Sequence, residues 1–152
     1  MLKVGAKAPD FKLQSDSGKT VSLKDFAGKK IVLYFYPRDM TPGCTKEACS
    51  FTENQSRIQK LGAVVLGISA DSVEAHKKFR DKYGLSFPLL SDPKKEVIEK
   101  YGVWKEKNMY GRKMMGIERS TFVIDEAGKI AHIFSKVKVD GHTEAVMEKL
   151  KA

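Results

Sequence analysis

A run of β-branched and aromatic side chains, Ile31–Tyr36 (IVLYFY), stops at Pro37. A continuous apolar run of this kind fits a strand buried on both faces, and a proline cannot donate to a central ladder. After a short polar turn come Thr41, Pro42, Gly43 and Cys44, and the residues that follow predict a helix over Thr45–Leu61. Thr41 is a preferred N-cap residue and Pro42 fits the first helical position. A strand buried on both faces and run directly into a helix calls for a sheet covered on either side.

The same punctuation places Cys44 in the first turn of the helix, beside backbone N–H groups that have no intrahelical partner. Those groups and the positive end of the helix dipole favour an anion. Thiolates at such sites form readily and are the reactive form of cysteine. Cys49 is the only other cysteine. So few cysteines argue against a disulfide scaffold and for redox catalysis or metal binding. The C-x4-C spacing is not the C-x-x-C of thioredoxin-type oxidoreductases. Zinc usually takes four ligands, and His76, His132 and His142 all lie far from the cysteines in sequence. Metal is the weaker option.

Upstream, Phe11–Gln14 and Thr20–Leu23 alternate apolar and polar around Ser15–Gly18, predicting a β-hairpin. Leu23–Ala27 reads as a single helical turn ended by Gly28. In the helix after Cys44, the positions Ala48, Phe51, Gln55, Ile58 and Leu61 share one face with Cys44. Cys49 is rotated from it by about 140°. A second buried strand, Ala63–Ser69, precedes a helix over Val73–Tyr83 that ends at Gly84 in the usual left-handed position. His76 lies on that helix's apolar stripe and reads as a packed core histidine. Phe87–Leu90 contains a proline, which predicts an edge or terminal strand. Asp92 and Pro93 suit the cap and first position of a helix over Pro93–Tyr101. Val103–Glu118 shows no clear period; its Trp104, Met109, Met114 and Met115 read as packing residues. Ser120–Asp125 and Lys129–Phe134 form a hairpin, and a helix from Thr143 to Leu150 closes the chain.

Alternating strands and helices followed by a hairpin and a helix predict an α/β thioredoxin fold. Its central mixed β-sheet is flanked by helices and extended by the N-terminal β-hairpin, all in a single domain spanning residues 1–152. That fold carries its redox cysteine where Cys44 falls. No apolar run reaches the ~20 residues of a membrane span, and the N-terminus lacks the apolar core of a signal peptide, which predicts a cytoplasmic protein. The formal net charge is +9, from 28 Lys and Arg against 19 Asp and Glu. The basic residues are scattered, without the blocks of roughly five or more that mark nucleic-acid or membrane binding, so no nucleic-acid or membrane partner is expected.

The motif Pro37-x-x-x-Thr41-x-x-Cys44, set in FYPRDMTPGCTKE, resembles the peroxiredoxins, specifically the bacterioferritin comigratory protein (peroxiredoxin Q) subfamily. The opening GAKAPDF, the segment SDPKKEVIEKYGV and Glu118–Asp125 (ERSTFVID) extend the resemblance over nearly the whole chain. It implies an antioxidant thiol-dependent peroxidase without metal, flavin or other cofactor, acting on hydrogen peroxide and organic hydroperoxides. Cys44 would be the peroxidatic cysteine, oxidised to a sulfenic acid. Thr41 would exchange hydrogen bonds with the thiolate and the peroxide, Pro42 would shield the site, and Pro37 would shape the loop. Arg119 would lie over Cys44, held by Glu47. A basic guanidinium offers fixed donors for the charge that develops on the leaving oxygen.

By the same resemblance Cys49 is the resolving cysteine, forming an intramolecular disulfide that a thioredoxin-type reductant would reopen. That cycle needs no dimer, so a monomer or at most a weak homodimer is expected. In an intact helix the two Cα atoms would stand roughly 8.7 Å apart, beyond the roughly 4.4–6.8 Å of a disulfide. The first turns, Pro42–Phe51, must therefore unwind. A peroxide-sensing relay that passes oxidation to a partner protein could share the first step, and a thiol-disulfide oxidoreductase would act without peroxide.

Overall fold

A computed structural model describes residues 2–151. The strands are β1 (Lys12–Ser15), β2 (Thr20–Ser22), β3 (Lys30–Phe35), β4 (Ala63–Ser69), β5 (Leu89–Ser91), β6 (Trp104–Met109), β7 (Arg112–Ile117), β8 (Ser120–Ile124) and β9 (Ile130–Phe134). The helices are α1 (Pro42–Glu53), α2 (Gln55–Lys60), α3 (Val73–Tyr83), α4 (Glu96–Lys100) and α5 (His142–Leu150), with a 3₁₀ turn at Leu23–Phe26. Seven strands form one mixed sheet in the order β2-β1-β5-β4-β3-β8-β9. The β3–β4 and β4–β5 pairs are parallel, and β1–β5, β3–β8 and β8–β9 are antiparallel.

The apolar run Ile31–Tyr36 divides between two cores, as period-two side-chain placement requires. Val32, Tyr34 and Tyr36 pack with Cys44, Ala48 and Phe51 of α1, Ile58 of α2, Phe79 of α3 and Val146 of α5. Ile31, Leu33 and Phe35 face the opposite cluster, with Val97 and Ile98 of α4 and Phe122 of β8. Each fully buried side chain of this size contributes about 1.5–3 kcal/mol, so β3 is held from both sides. Gly67 in β4 is needed here: a Cβ added to it would stand 3.0 Å from the Tyr34 ring and 3.1 Å from Leu89. Its absence lets Tyr34 lie against Phe51, with ring centroids 4.8 Å apart.

Four local expectations are corrected. The single helix over Thr45–Leu61 is two helices, broken at Asn54 (ψ 11°). The Asn54 side chain donates to the Ser50 carbonyl at 2.9 Å, the acceptor that its own backbone N–H also uses, a local competition typical of asparagine. β5 is interior, not an edge: Pro88 precedes the strand and offers its carbonyl to Gly67 N–H, while β1 pairs along the outer side. The helix expected from Pro93 starts only at Glu96, after Lys95 at φ +62°, although Asp92 Oδ2 still accepts from Ile98 N–H at 2.8 Å.

The fourth correction is the Val103–Glu118 segment, which forms the two-stranded hairpin β6–β7. Its turn places Tyr110 and Gly111 at φ +53° and +75°, the primed geometry of a tight hairpin. Trp104 packs against the core, but Met114 and Met115 are half exposed, so they are not packing residues; the Met109 side chain lies outside what is described.

Candidate active site

Thr41 is the N-cap of α1 and Pro42 its first residue. The Thr41 side chain does not cap the helix, however: its hydroxyl donates to the Arg38 carbonyl at 2.9 Å. The first intrahelical bond runs from Thr45 N–H to the Thr41 carbonyl, which leaves the N–H groups of Gly43 and Cys44 outside the helical ladder. Cys44 itself is 1% exposed, while Pro42 is exposed and Pro37 half-buried. Cys44 and Cys49 are both free thiols in an intact helix.

Arg119 comes from the bend between β7 and β8. Its Nη2 donates to Cys44 Sγ at 3.4 Å and its Nη1 to Glu47 Oε1 at 2.6 Å. Glu47 lies one turn after Cys44 on the buried face of α1, so the two acceptors grip one guanidinium. Burial pushes the Glu47 carboxyl up to about 7, and Arg119 pulls the other way. Burial by itself would lower the Arg119 pKa, but Glu47 and then Cys44 reverse it, leaving it above its ordinary value. The guanidinium is a fixed cation; the charge at Glu47 is the part that varies with pH.

Cys49 faces a different setting. Burial, then Glu53, holds its thiol above the usual range, so in the folded helix Cys49 is protonated and poorly nucleophilic. α1 is also tied to the start of α5. Ser50 Oγ and Thr143 Oγ1 are 2.6 Å apart, and Lys46 pairs with Asp140.

Two residues near the site escaped the sequence reading. Lys107 on β6 has its pKa lowered by burial and by Arg119, against smaller raising effects of Cys44 and Glu118. His142, whose Nε2 is 2.8 Å from Thr121 Oγ1, is pushed down to about 4 by burial and then by Arg119. Neither has a local sequence signal, because hairpin packing and the docking of α5 bring them there.

Gly43 has a role beyond helix propensity. A Cβ there would stand 3.1 Å from Arg119 Nη2. Gly43→Ala is expected to stabilise the helix by up to ~1 kcal/mol while slowing peroxide oxidation of Cys44 by roughly threefold to tenfold, through a shifted guanidinium. Thermal denaturation and stopped-flow oxidation read the two effects separately. An unchanged oxidation rate would show that the close approach of Gly43 to Arg119 has no functional weight.

Residues 4–133 match the AhpC/TSA family. The bcp protein of Coxiella burnetii is 56% identical over 149 residues, covering 98% of this chain and 99% of the relative. Peroxiredoxin Bcp of Bacillus subtilis is 49% identical over 150 residues, covering 99% and 96%. The solved structure of the bacterioferritin comigratory protein of Xanthomonas campestris superposes with a TM-score of 0.91 at 41% identity, covering 98% of each chain. Among the described residues no helix is long and apolar enough to cross a membrane. The sheet, the helix-start cysteine and these likenesses agree: the chain belongs to the AhpC/TSA family, as a thioredoxin-fold peroxiredoxin of the Bcp (peroxiredoxin Q) type, a thiol peroxidase.

Proposed function

We propose that Cys44 is the peroxidatic cysteine and Cys49 the resolving one, in a cycle closed by a thioredoxin-type dithiol. The Cys44 thiolate attacks the terminal oxygen of a hydroperoxide; an S–O bond forms, the O–O bond breaks, and the leaving oxygen takes a proton to become water or an alcohol. The contact of Arg119 Nη2 with Cys44 Sγ, fixed by Glu47 on the far side, carries this reading. It sets a charged donor where the negative charge develops. Thr41 gives its proton to Arg38, so toward the peroxide its oxygen serves as an acceptor. Pro37 and Pro42 frame the loop. The Xanthomonas relative is described by its alkyl peroxide reduction activity, and organic hydroperoxides are included here on that likeness.

Resolution follows when the Cys49 thiol loses its proton and its sulfur attacks the sulfenic sulfur: the S–S bond forms, the S–O bond breaks, and the leaving hydroxide takes up a proton to become water. The dithiol reductant then takes the disulfide and restores both thiols. Intact mass after one equivalent of hydrogen peroxide tests the scheme. Wild type is expected to lose two hydrogens as a monomer, and Cys49→Ser to gain one oxygen. Gain of one oxygen by wild type, or a covalent dimer, would place the resolving thiol elsewhere; no reaction within seconds would remove Cys44 as the peroxide-reactive thiol.

A further inference from the structure

Behind the loop that joins β3 to α1 lies a buried polar cluster that no step above uses. Asp39, at the centre of the loop, is 7% exposed and His76, on α3, is 0% exposed. His76 Nδ1 is 2.6 Å from Asp39 Oδ2, and His76 Nε2 is 3.1 Å from the Leu90 carbonyl of β5. The Tyr36 hydroxyl donates to Asp39 Oδ1 at 2.6 Å. The Asp39 backbone N–H donates to Asp71 Oδ2 at 2.8 Å, and that oxygen also accepts from Ser69 Oγ at 2.7 Å.

The hydrogens of this cluster can be assigned from its acceptors. A carbonyl oxygen only accepts, so Nε2 of His76 carries a proton. Nδ1 and Asp39 Oδ2, 2.6 Å apart, are joined by one short hydrogen bond. The titratable groups set around the ring are Tyr36 just after β3, Asp39 from the loop and Asp71 beyond the end of β4. Arg80, the cation one turn further along α3, is turned to Asp16 and Asp81. Asp39, Asp71 and His76 are close enough to suggest a metal, but both Asp39 oxygens, Asp71 Oδ2 and both His76 nitrogens already have hydrogen-bond partners.

What the cluster holds is strained. Met40, between Asp39 and Thr41, sits at φ +67°, a region costly for a side chain of this size. The next residue, Thr41, starts α1 and bonds back to Arg38. We propose that His76 is a positioning residue for peroxide reduction: as a buried ring bridging Asp39 and the Leu90 carbonyl, it pins the Pro37–Thr41 loop in the conformation that sets Thr41 beside Cys44. This rests on the reading of Cys44 as the peroxidatic thiol. Nothing in the local sequence joins His76 to that thiol; the link exists because α3 packs beneath the loop.

The experiment compares wild type, His76→Gln and Asp39→Asn in both half-reactions, with the reductant side read on pre-oxidised protein. Oxidation of Cys44 by hydrogen peroxide is expected to slow by roughly tenfold or more in each variant, as misplacement at a reacting centre does, with kcat/KM for the dithiol reductant unchanged. Equal losses in both half-reactions, or wild-type oxidation rates in the variants, would overturn the proposal by reducing His76 to ordinary packing. Nitrogen-15 spectra of reduced wild type at pH 7 test the ring without any variant. A protonated Nε2 is expected at His76, and an unprotonated Nε2 would overturn the bridge to Leu90. Failure of wild-type Cys44 to react with peroxide would instead sink the reading of Cys44, a separate result.

Discussion

Arg119→Met is expected to lower the rate constant for oxidation of Cys44 by peroxide by roughly a hundredfold to a thousandfold, the loss typical of removing one preorganised donor from a developing oxyanion. The guanidinium contacts the sulfur directly and is 16% exposed in its side chain, so little water competes with it. Arg119→Lys keeps the charge but gives up the planar fork that grips Cys44 and Glu47 together, and should fall between the two. Stopped-flow oxidation measures all three, and a wild-type rate for Arg119→Met would remove Arg119 from the transition state. Glu47→Gln probes the anchor. The Glu47 carboxyl goes from an ordinary 4.5 to about 7 in the folded protein, burial outweighing Arg119. A carboxyl raised in this way stabilises the fold most below its unfolded value and loses that contribution as pH rises through the folded one. Wild type therefore loses stability from this group between pH 4.5 and about 7, and Glu47→Gln removes that part of the slope in urea denaturation across the same window.

Oxidation to the disulfide is expected to strip hydrogen-exchange protection from the amides of Thr45–Phe51 by a hundredfold or more (about 2.7 kcal/mol of local opening), while the Phe51 side chain stays packed and the amides from Ile58 onward stay protected. The boundary follows from burial. Phe51 is 0% exposed and packs on Tyr34, Phe87 and His142, and withdrawing a phenyl ring from such a site costs about 1.5–3 kcal/mol. Ahead of it the helix gives up the Ser50–Thr143 bond and the Lys46–Asp140 pair, each worth roughly 1 kcal/mol or less. Cys49, held protonated by burial and by Glu53, is released to water as the turn opens and so becomes a better nucleophile when it is needed. Equal protection of Thr45–Phe51 in the reduced and oxidised proteins would end the unwinding scheme. Loss extending to the buried Ile58, whose N–H bonds to the Asn54 carbonyl, would move the hinge into the core.

The stretch from Ile31 to Phe51 was legible because its determinants are local. A doubly buried strand shows itself as an unbroken apolar run, Pro37 ends it, and Thr41 and Pro42 mark a helix start within one turn of Cys44. The hairpins β1–β2 and β8–β9 and helix α3 were equally plain, since period-two and period-3.6 patterns appear wherever one face is buried and the other is wet. The hairpin β6–β7 has little such contrast: most of β7 is exposed, so alternation carried no signal and only Tyr110–Gly111 marked the turn. β5 looked like an edge because Pro88 was visible and its covering strand, more than seventy residues earlier, was not.

By itself the sequence determined the strand–turn–helix unit, the thiol at its start and, through resemblance, the names of the residues expected around it. Only the tertiary structure decided that Arg119 reaches Cys44 from 75 residues away, that Glu47 is buried to meet it, and that His76 stands beneath the loop. Caps, turns and periodicities are fixed by neighbours within a few bonds of one another. Charge placement at the thiol is fixed by which strands and helices pack together, and that depends on the whole sheet.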